Sequence, residues 1–323
     1  MRRMGLVALL LASAGLAVFA GQPPTPPNDN RIDKPQLDAW MTRYSNWGRW
    51  GQDDELGTAN LITAAKRQQA GKLVRTGETV SLSRQFVITP GATGNPFAMN
   101  LSTNPAGFAT DRIEVGYHGI TITHLDALCH HAYNGKLYNG FVFADVVTKD
   151  GGCAKLGVGV TRDRLVTRAV LIDIPRLKGV PYLDPGTHVY REDIEAWEKK
   201  SGVKLSSGDA LLMYTGRWAH QARFGVSRVW SGFDASFVPL LKERDVALLG
   251  SDGAQDVGTV AGFQFPVHRF AIVALGMSLL DNLDLEAVAE TAARLKRWEF
   301  LLTVSPANAA NGSGAPVNPI AIF

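Results

Sequence analysis

The strongest constraint on the fold is the alternation, along the chain, of short β-branched apolar runs with stretches of helical period. Strand patterns cover Thr79–Val87, Arg112–Tyr117, Ala169–Asp173, Ala210–Tyr214, Val246–Gly250 and Ala271–Ala274. Helical patterns lie between them at Pro35–Tyr44, Thr63–Lys72, Thr161–Val166, Arg191–Lys200, Ala235–Glu243 and Leu285–Arg297. Such alternation predicts an α/β domain built on a substantial mixed sheet. Acidic residues after Tyr190 and Asp284 before the last helical run are expected helix starts, Gly202 is an expected helix end, and Gly208-Asp209 announces a strand. No internal repeat and no charge run interrupts the pattern, and nothing resembling a linker follows residue 35, so residues 36–323 are expected to form one domain. A body of this length buries about three quarters of its unfolded surface, enough for a core that needs neither disulfide nor metal for stability alone.

The N-terminus is set apart. Arg2 and Arg3 precede an uncharged apolar run from Met4 to Ala20, and Val18 and Ala20 suit a cleavage site. Residues 1–20 are therefore expected to be a signal peptide and residues 21–35, rich in Pro and Asn, a disordered lead. Export to the periplasm or beyond follows. Removal of residues 1–20 takes the formal charge from +3 to +1, too little positive field for nucleic acid or an anionic membrane surface. A small-molecule partner is the expectation. Cys129 and Cys153 can pair in an oxidising compartment, but one bridge is no disulfide framework in a chain this long, and both are read as free thiols.

The chemistry is concentrated in one segment. Of the seven histidines, His118, His124, His130 and His131 fall between residues 118 and 131. If residues 122–126 are extended, His124 and Asp126 project from the same face, because side chains alternate with period two. An imidazole and a carboxylate so placed can hold a divalent ion, zinc or manganese, whose bound water becomes a nucleophile near neutral pH. His130 follows closely enough for the chain to turn it back into the same pocket, where it can move a proton. His268 and Asp281 are the remaining candidate ligands. A serine hydrolase elbow G-x-S-x-G and a zincin H-E-x-x-H are both missing from the sequence.

From Asn46 onward the chain resembles the metal-dependent cyclase family, which includes bacterial kynurenine formamidase and isatin hydrolase. The resemblance rests on the ordered blocks Asn46 to Asn60, Val80 to Arg84, Thr123-His-Leu-Asp-Ala-Leu-Cys-His130, Gly208-Asp209 with Tyr214-Thr-Gly216, Gly250-Ser-Asp252, Pro266-Val-His268, Asp281-Asn-Leu283 and Gly312 to Pro316. It implies a swivelling β/β/α fold, a homodimer, and metal-dependent hydrolysis of an amide, either an aryl formamide such as N-formylkynurenine or a cyclic amide. In the family a first histidine stands four residues before the position of His124. Here that position is Ile120, and His118 is the expected substitute. Asp281 matches the family's late glutamate with a carboxylate one methylene shorter. The implied roles are metal ligation by His124, Asp126 and His118, completion of the pocket or a second metal by His268 and Asp281, and acid/base catalysis by His130. Trp47, Trp50, Tyr133 and Tyr138 are candidate walls for an aryl substrate, with core packing the favoured use of each, and His131 is read as a bystander. The alternative is an exported small-molecule-binding protein of the same fold whose metal site has degenerated.

Overall fold

The computed structural model describes residues 30–87, 97–227, 229–260 and 263–323. The expected signal peptide and residues 21–29 of the expected lead lie outside the described residues. Residues 30–35, also assigned to the lead, belong to the folded body. Asn30 Nδ2 donates to the Thr259 carbonyl (3.1 Å), Asn30 Oδ1 accepts from Ala235 N (2.7 Å), and the first helix begins at Lys34 behind an Asp33 cap.

The strands of three or more residues are β1 Thr79–Ser81, β2 Phe97–Thr103, β3 Ala109–Val115, β4 His124–Asp126, β5 Val166–Asp173, β6 Ala210–Tyr214, β7 Leu248–Ser251, β8 Leu279–Asp281, β9 Glu299–Thr303, β10 Gly314–Pro316 and β11 Ile320–Ile322. Nine of them form one mixed sheet in the order β1-β11-β9-β5-β6-β7-β8-β4-β10. The central four, β5 to β8, run parallel, while β9, β11 and β1 on one side and β4 and β10 on the other are antiparallel to their neighbours. Parallel strands are covered on both faces and so read as continuous apolar runs rather than alternating ones. Ala169–Ile172, Ala210–Met213 and Leu248–Leu249 accordingly have no exposed surface. Helix Arg191–Ser201 rests on this sheet, with Trp197 Nε1 donating to the Leu171 carbonyl at 2.8 Å. The α/β fold with a mixed sheet in a single body is as expected.

Several elements differ locally from the sequence reading. Ala271–Ala274 is a π-helical turn, Phe270–Leu275, every residue of which is buried; an apolar run that short carries no period by which to tell a buried helix from a buried strand. Thr161–Val166 is no helix, since a 3-10 turn ends at Thr161 and β5 begins at Val166. The helix after Asp284 starts at Glu286 without a side-chain cap. Thr79–Val87 is strand only as far as Ser81, and Arg112–Tyr117 belongs to the β2–β3 hairpin, outside the main sheet.

The Asn46–Asn60 segment closes the end of the π-helical turn. Asn46 N, Asn46 Nδ2 and Trp47 Nε1 donate to the carbonyls of Ala274, Leu275 and Val273 at 2.8, 3.0 and 2.6 Å, and Thr58 N donates to Gly276 O at 2.8 Å. A helix C-terminus leaves several carbonyls without partners inside the helix, and these four donors satisfy them.

Cys129 and Cys153 are joined in a disulfide, with Cα atoms 6.3 Å apart across a separation of 24 residues, so the expectation of free thiols is corrected. Cys129 directly precedes His130, and the bridge ties that segment to the short β-pair around Gly152. Loop-closure entropy for a ring of this size amounts to about 3 kcal/mol. Cys153→Ser should lose about that much unfolding free energy in guanidinium titrations, and the difference from the parent should vanish when both are unfolded in dithiothreitol.

Candidate metal centre

β4 is three residues long, yet it places two charged side chains inside the protein. Its register against β8 sets Asp281 opposite His124, and its register against β10 sets Gly314 opposite Asp126. A Cβ on Gly314 would stand 2.4 Å from the Leu125 carbonyl and 3.0 Å from the His118 ring, so only glycine leaves room there. His124, Asp126, Asp281 and His268 are 2, 1, 3 and 4 % exposed.

Asp126 is the centre of the cluster. Its Oδ1 lies 3.1 Å from His118 Nδ1, 3.4 Å from His124 Nε2 and 3.8 Å from His130 Nε2, and its Oδ2 lies 3.7 Å from His268 Nε2. No ring N–H is aligned on Oδ1, which is buried without a hydrogen bond. A buried carboxylate oxygen ringed by imidazole nitrogens and left without a donor is what a divalent cation satisfies, and imidazole with carboxylate is a donor set suited to zinc or manganese. Two overlapping groups have ligand atoms within 4.8 Å of one another: His124 with Asp126 and Asp281, and His118 with Asp126 and His130. Asp281 thus reaches the centre in spite of its short side chain.

Each candidate ligand is oriented from behind. His124 Nδ1 donates to the Ile122 carbonyl at 2.8 Å, turning Nε2 inward. His118 stands on irregular chain rather than on a regular strand, with its Nε2 2.9 Å from Ser313 Oγ and its ring stacked flat on His130 at 3.8 Å. The chain between His118 and His124 is held by Arg217, which donates to Ile120 O (2.7 Å) and Asn282 Oδ1 (2.7 Å), and by Asn282 Nδ2, which donates to Gly119 O (2.7 Å) and Ile122 O (3.1 Å). His268 Nδ1 donates to Asp256 at 2.5 Å, leaving Nε2 for Asp281 at 3.2 Å, and Gln255 Nε2 holds the other oxygen of Asp281 at 2.9 Å.

Charge follows from this arrangement. Burial disfavours charge on Asp126, but the surrounding His118, His124 and His130 hold its carboxyl well below the usual range. Burial also opposes a charged His124, yet Asp126 and Asp281 raise it to about 9. His268, fully buried, is likewise held well above the ordinary value by Asp281 and Asp256. His130 goes the other way: burial and its histidine neighbours His118, His268 and His124 outweigh Asp126 and lower it to about 4. A neutral imidazole at neutral pH can accept a proton.

The cluster opens into a cavity of about 340 Å³, walled beyond the charged groups by Ile120, His131, Trp230, Ala254 and Phe265. His118, His124, Asp126, His130, His268 and Asp281, all singled out from the sequence, meet there. The four aromatic residues weighed as walls do not line it and are used in packing and hydrogen bonding instead. Trp47 is spent on the π-helical turn, Tyr133 Oη donates to Asp38, Tyr138 is fully buried with its hydroxyl on Asp54, and Trp50 packs beside the Arg49 guanidinium. His131, read as a bystander, lines the cavity. Asp256, Trp230 and Phe265 went unnoticed because no spacing links them to residues 118–131; the histidine of Pro266-Val-His268 was the only signal pointing to that part of the chain.

The family model Cyclase matches residues 29–255. A solved structure described as a novel cyclase is 30% identical, with a TM-score of 0.77 over 88% of this chain and 99% of that one. Isatin hydrolase A from Ralstonia solanacearum is 19% identical, with a TM-score of 0.52 over 80% of this chain and 97% of its own. An isatin hydrolase bound to the product analogue thioisatinate is 18% identical, with a TM-score of 0.53 over 82% and 98%. These two share the fold. No curated protein matches the chain.

The raised histidines make a prediction about the chain stripped of metal. A group whose folded pKa lies above its unfolded value, near 6.5 for histidine, stabilises the fold fully below that value and loses its contribution as pH rises through the folded pKa. His124 and His268 both have this sign. Unfolding free energy of the metal-free protein should therefore fall from about pH 7 upward, and Asp256→Asn, which removes one anion from His268, should flatten that fall. Urea titrations across the pH range check both statements.

Proposed function

The chain belongs to the cyclase family, and from that premise we propose that it is a divalent-metal-dependent hydrolase of an amide bond, in an aryl formamide such as N-formylkynurenine or in a cyclic amide. The observation that carries the reading is the buried, donorless Oδ1 of Asp126 among imidazole nitrogens. His124, Asp126 and Asp281 would hold the ion, with His118 and His268 completing the set. A divalent ion bound there supplies Lewis acidity, polarising a carbonyl and acidifying water.

The remaining chemistry falls to the chain itself. His130, neutral because burial and its histidine neighbours depress it, takes a proton from the attacking water as the new C–O bond forms. It returns that proton to the nitrogen as the C–N bond breaks, so the products are a carboxylic acid and an amine. Stacking on His118 fixes the plane of its ring, and the disulfide at Cys129 fixes the backbone next to it. The walls formed by Ile120, Ala254 and Trp230 keep bulk water from the reacting carbonyl.

Export and a homodimer belong to the same proposal. A disulfide persists in oxidising compartments, which supports export. The β2–β3 hairpin pairs Met99 with Ile113 on one face and leaves Met99, Leu101 and Ile113 exposed, an apolar face that a second copy would cover.

Chelator treatment should abolish hydrolysis of N-formylkynurenine and of isatin, with activity restored by zinc or manganese; undiminished hydrolysis after chelation would overturn the metal mechanism. Asp126→Asn should lose metal and activity together, whereas His130→Gln should keep its metal and lose about 100-fold or more in kcat. A purified chain that carries no metal and binds these compounds without turning them over would favour the binding-protein alternative.

A further inference from the structure

Phe265 is held in a conformation that its own residue type resists. Its φ of +53° and ψ of 56° lie in the left-handed region, where a bulky aromatic residue is strained, and it directly precedes Pro266, which biases it towards extended backbone. The local structure has no need of an aromatic side chain there. Phe265 provides no side-chain cap for the helix Pro266–Arg269; the Asp256 carboxylate does that, accepting from Val267 N at 2.6 Å and His268 N at 3.3 Å. Nor is the ring used in the core, since Phe265 is 40% exposed.

The ring is placed where it can meet a ligand. It forms part of the wall of the metal-site cavity and of a neighbouring cavity of about 230 Å³, and it shares both with Trp230. Its centroid lies 5.8 Å from those of His131 and His268, tilted 57° and 67°. Trp230 is the fixed member of the pair, with its Nε1 donating to the Asp256 carbonyl at 2.9 Å and the Arg217 guanidinium 5.6 Å from its ring. A strained, half-exposed aromatic residue that lines the same two cavities as a fixed indole gains further contact when a flat apolar group lies against it.

We propose that Phe265 is the residue that selects an aryl over a saturated substrate, gripping the substrate ring against Trp230 at the mouth of the metal site. The inference rests on the amide-hydrolase reading for the reaction that follows but concerns ligand choice alone, so it can be tested by binding as well as by turnover.

The probes are formanilide and N-formylcyclohexylamine, which differ in the planarity of the ring. The variants are Phe265→Leu and Phe265→Gly, each compared with the parent by calorimetric binding, by kcat/KM and by thermal melting. The parent should prefer formanilide in binding. Both variants should lose about tenfold of that preference, expressed mainly in KM where turnover occurs. Phe265→Gly should melt no lower than the parent, because glycine adopts a φ of +53° freely. A parent that binds both probes but turns over neither would remove the proposed reaction and leave this inference to the binding ratio. It is overturned if the parent shows no aryl preference, if that preference survives in both variants, or if Phe265→Gly melts well below the parent as a core truncation would.

Discussion

The carboxylate of Asp126 is the constraint around which the rest of the centre is arranged. A charge that is 1% exposed is tolerated only where opposite charge and dipoles compensate it. Four imidazoles supply that compensation, and each must itself be aimed. His124 is aimed by a backbone carbonyl two residues back, His118 by Ser313 from the far end of the chain, and His268 by Asp256. The cost of burying one negative group is thus spread over contacts from three distant stretches of sequence.

Protonation and metal occupancy are alternatives at such a centre. Asp126, Asp256 and Asp281 place three carboxylates around His124 and His268, and without an ion those two rings hold protons tightly. An ion needs the same nitrogens deprotonated, so binding it must expel protons, and its affinity must rise with pH. His130 lies outside this exchange. Burial and its histidine neighbours outweigh Asp126 and hold its imidazole below the ordinary value.

What could be read from the sequence follows the range of the interactions. His124 and Asp126 are two residues apart, so strand alternation alone puts them on one face, and β4 has them there. The strands from Ala169 and Ala210 were legible because both faces are buried and the apolar run is continuous. His118 could be suspected but not placed, because its reach depends on Gly314 and Ser313, nearly two hundred residues away. Trp47 was a candidate substrate wall on its aromatic character alone, whereas its indole N–H is needed by an unpaired helix-end carbonyl. Trp230 and Phe265 carry no local signal at all; proximity to the site is a property of the sheet order, and composition does not encode it. The disulfide escaped for the same reason, since two isolated cysteines form no spacing pattern.

The position of β4 in the sheet also sets an order of events. It is held on one side by β8, after residue 278, and on the other by β10, after residue 313. During synthesis, residues 118–131 emerge before their partners and must wait, with their carboxylate and imidazoles unassembled, until residues 314–316 have appeared. Any ion would then be a late acquisition: the pocket exists only once β10 has docked beside β4, and the compartment in which that strand docks would decide which metal is on offer.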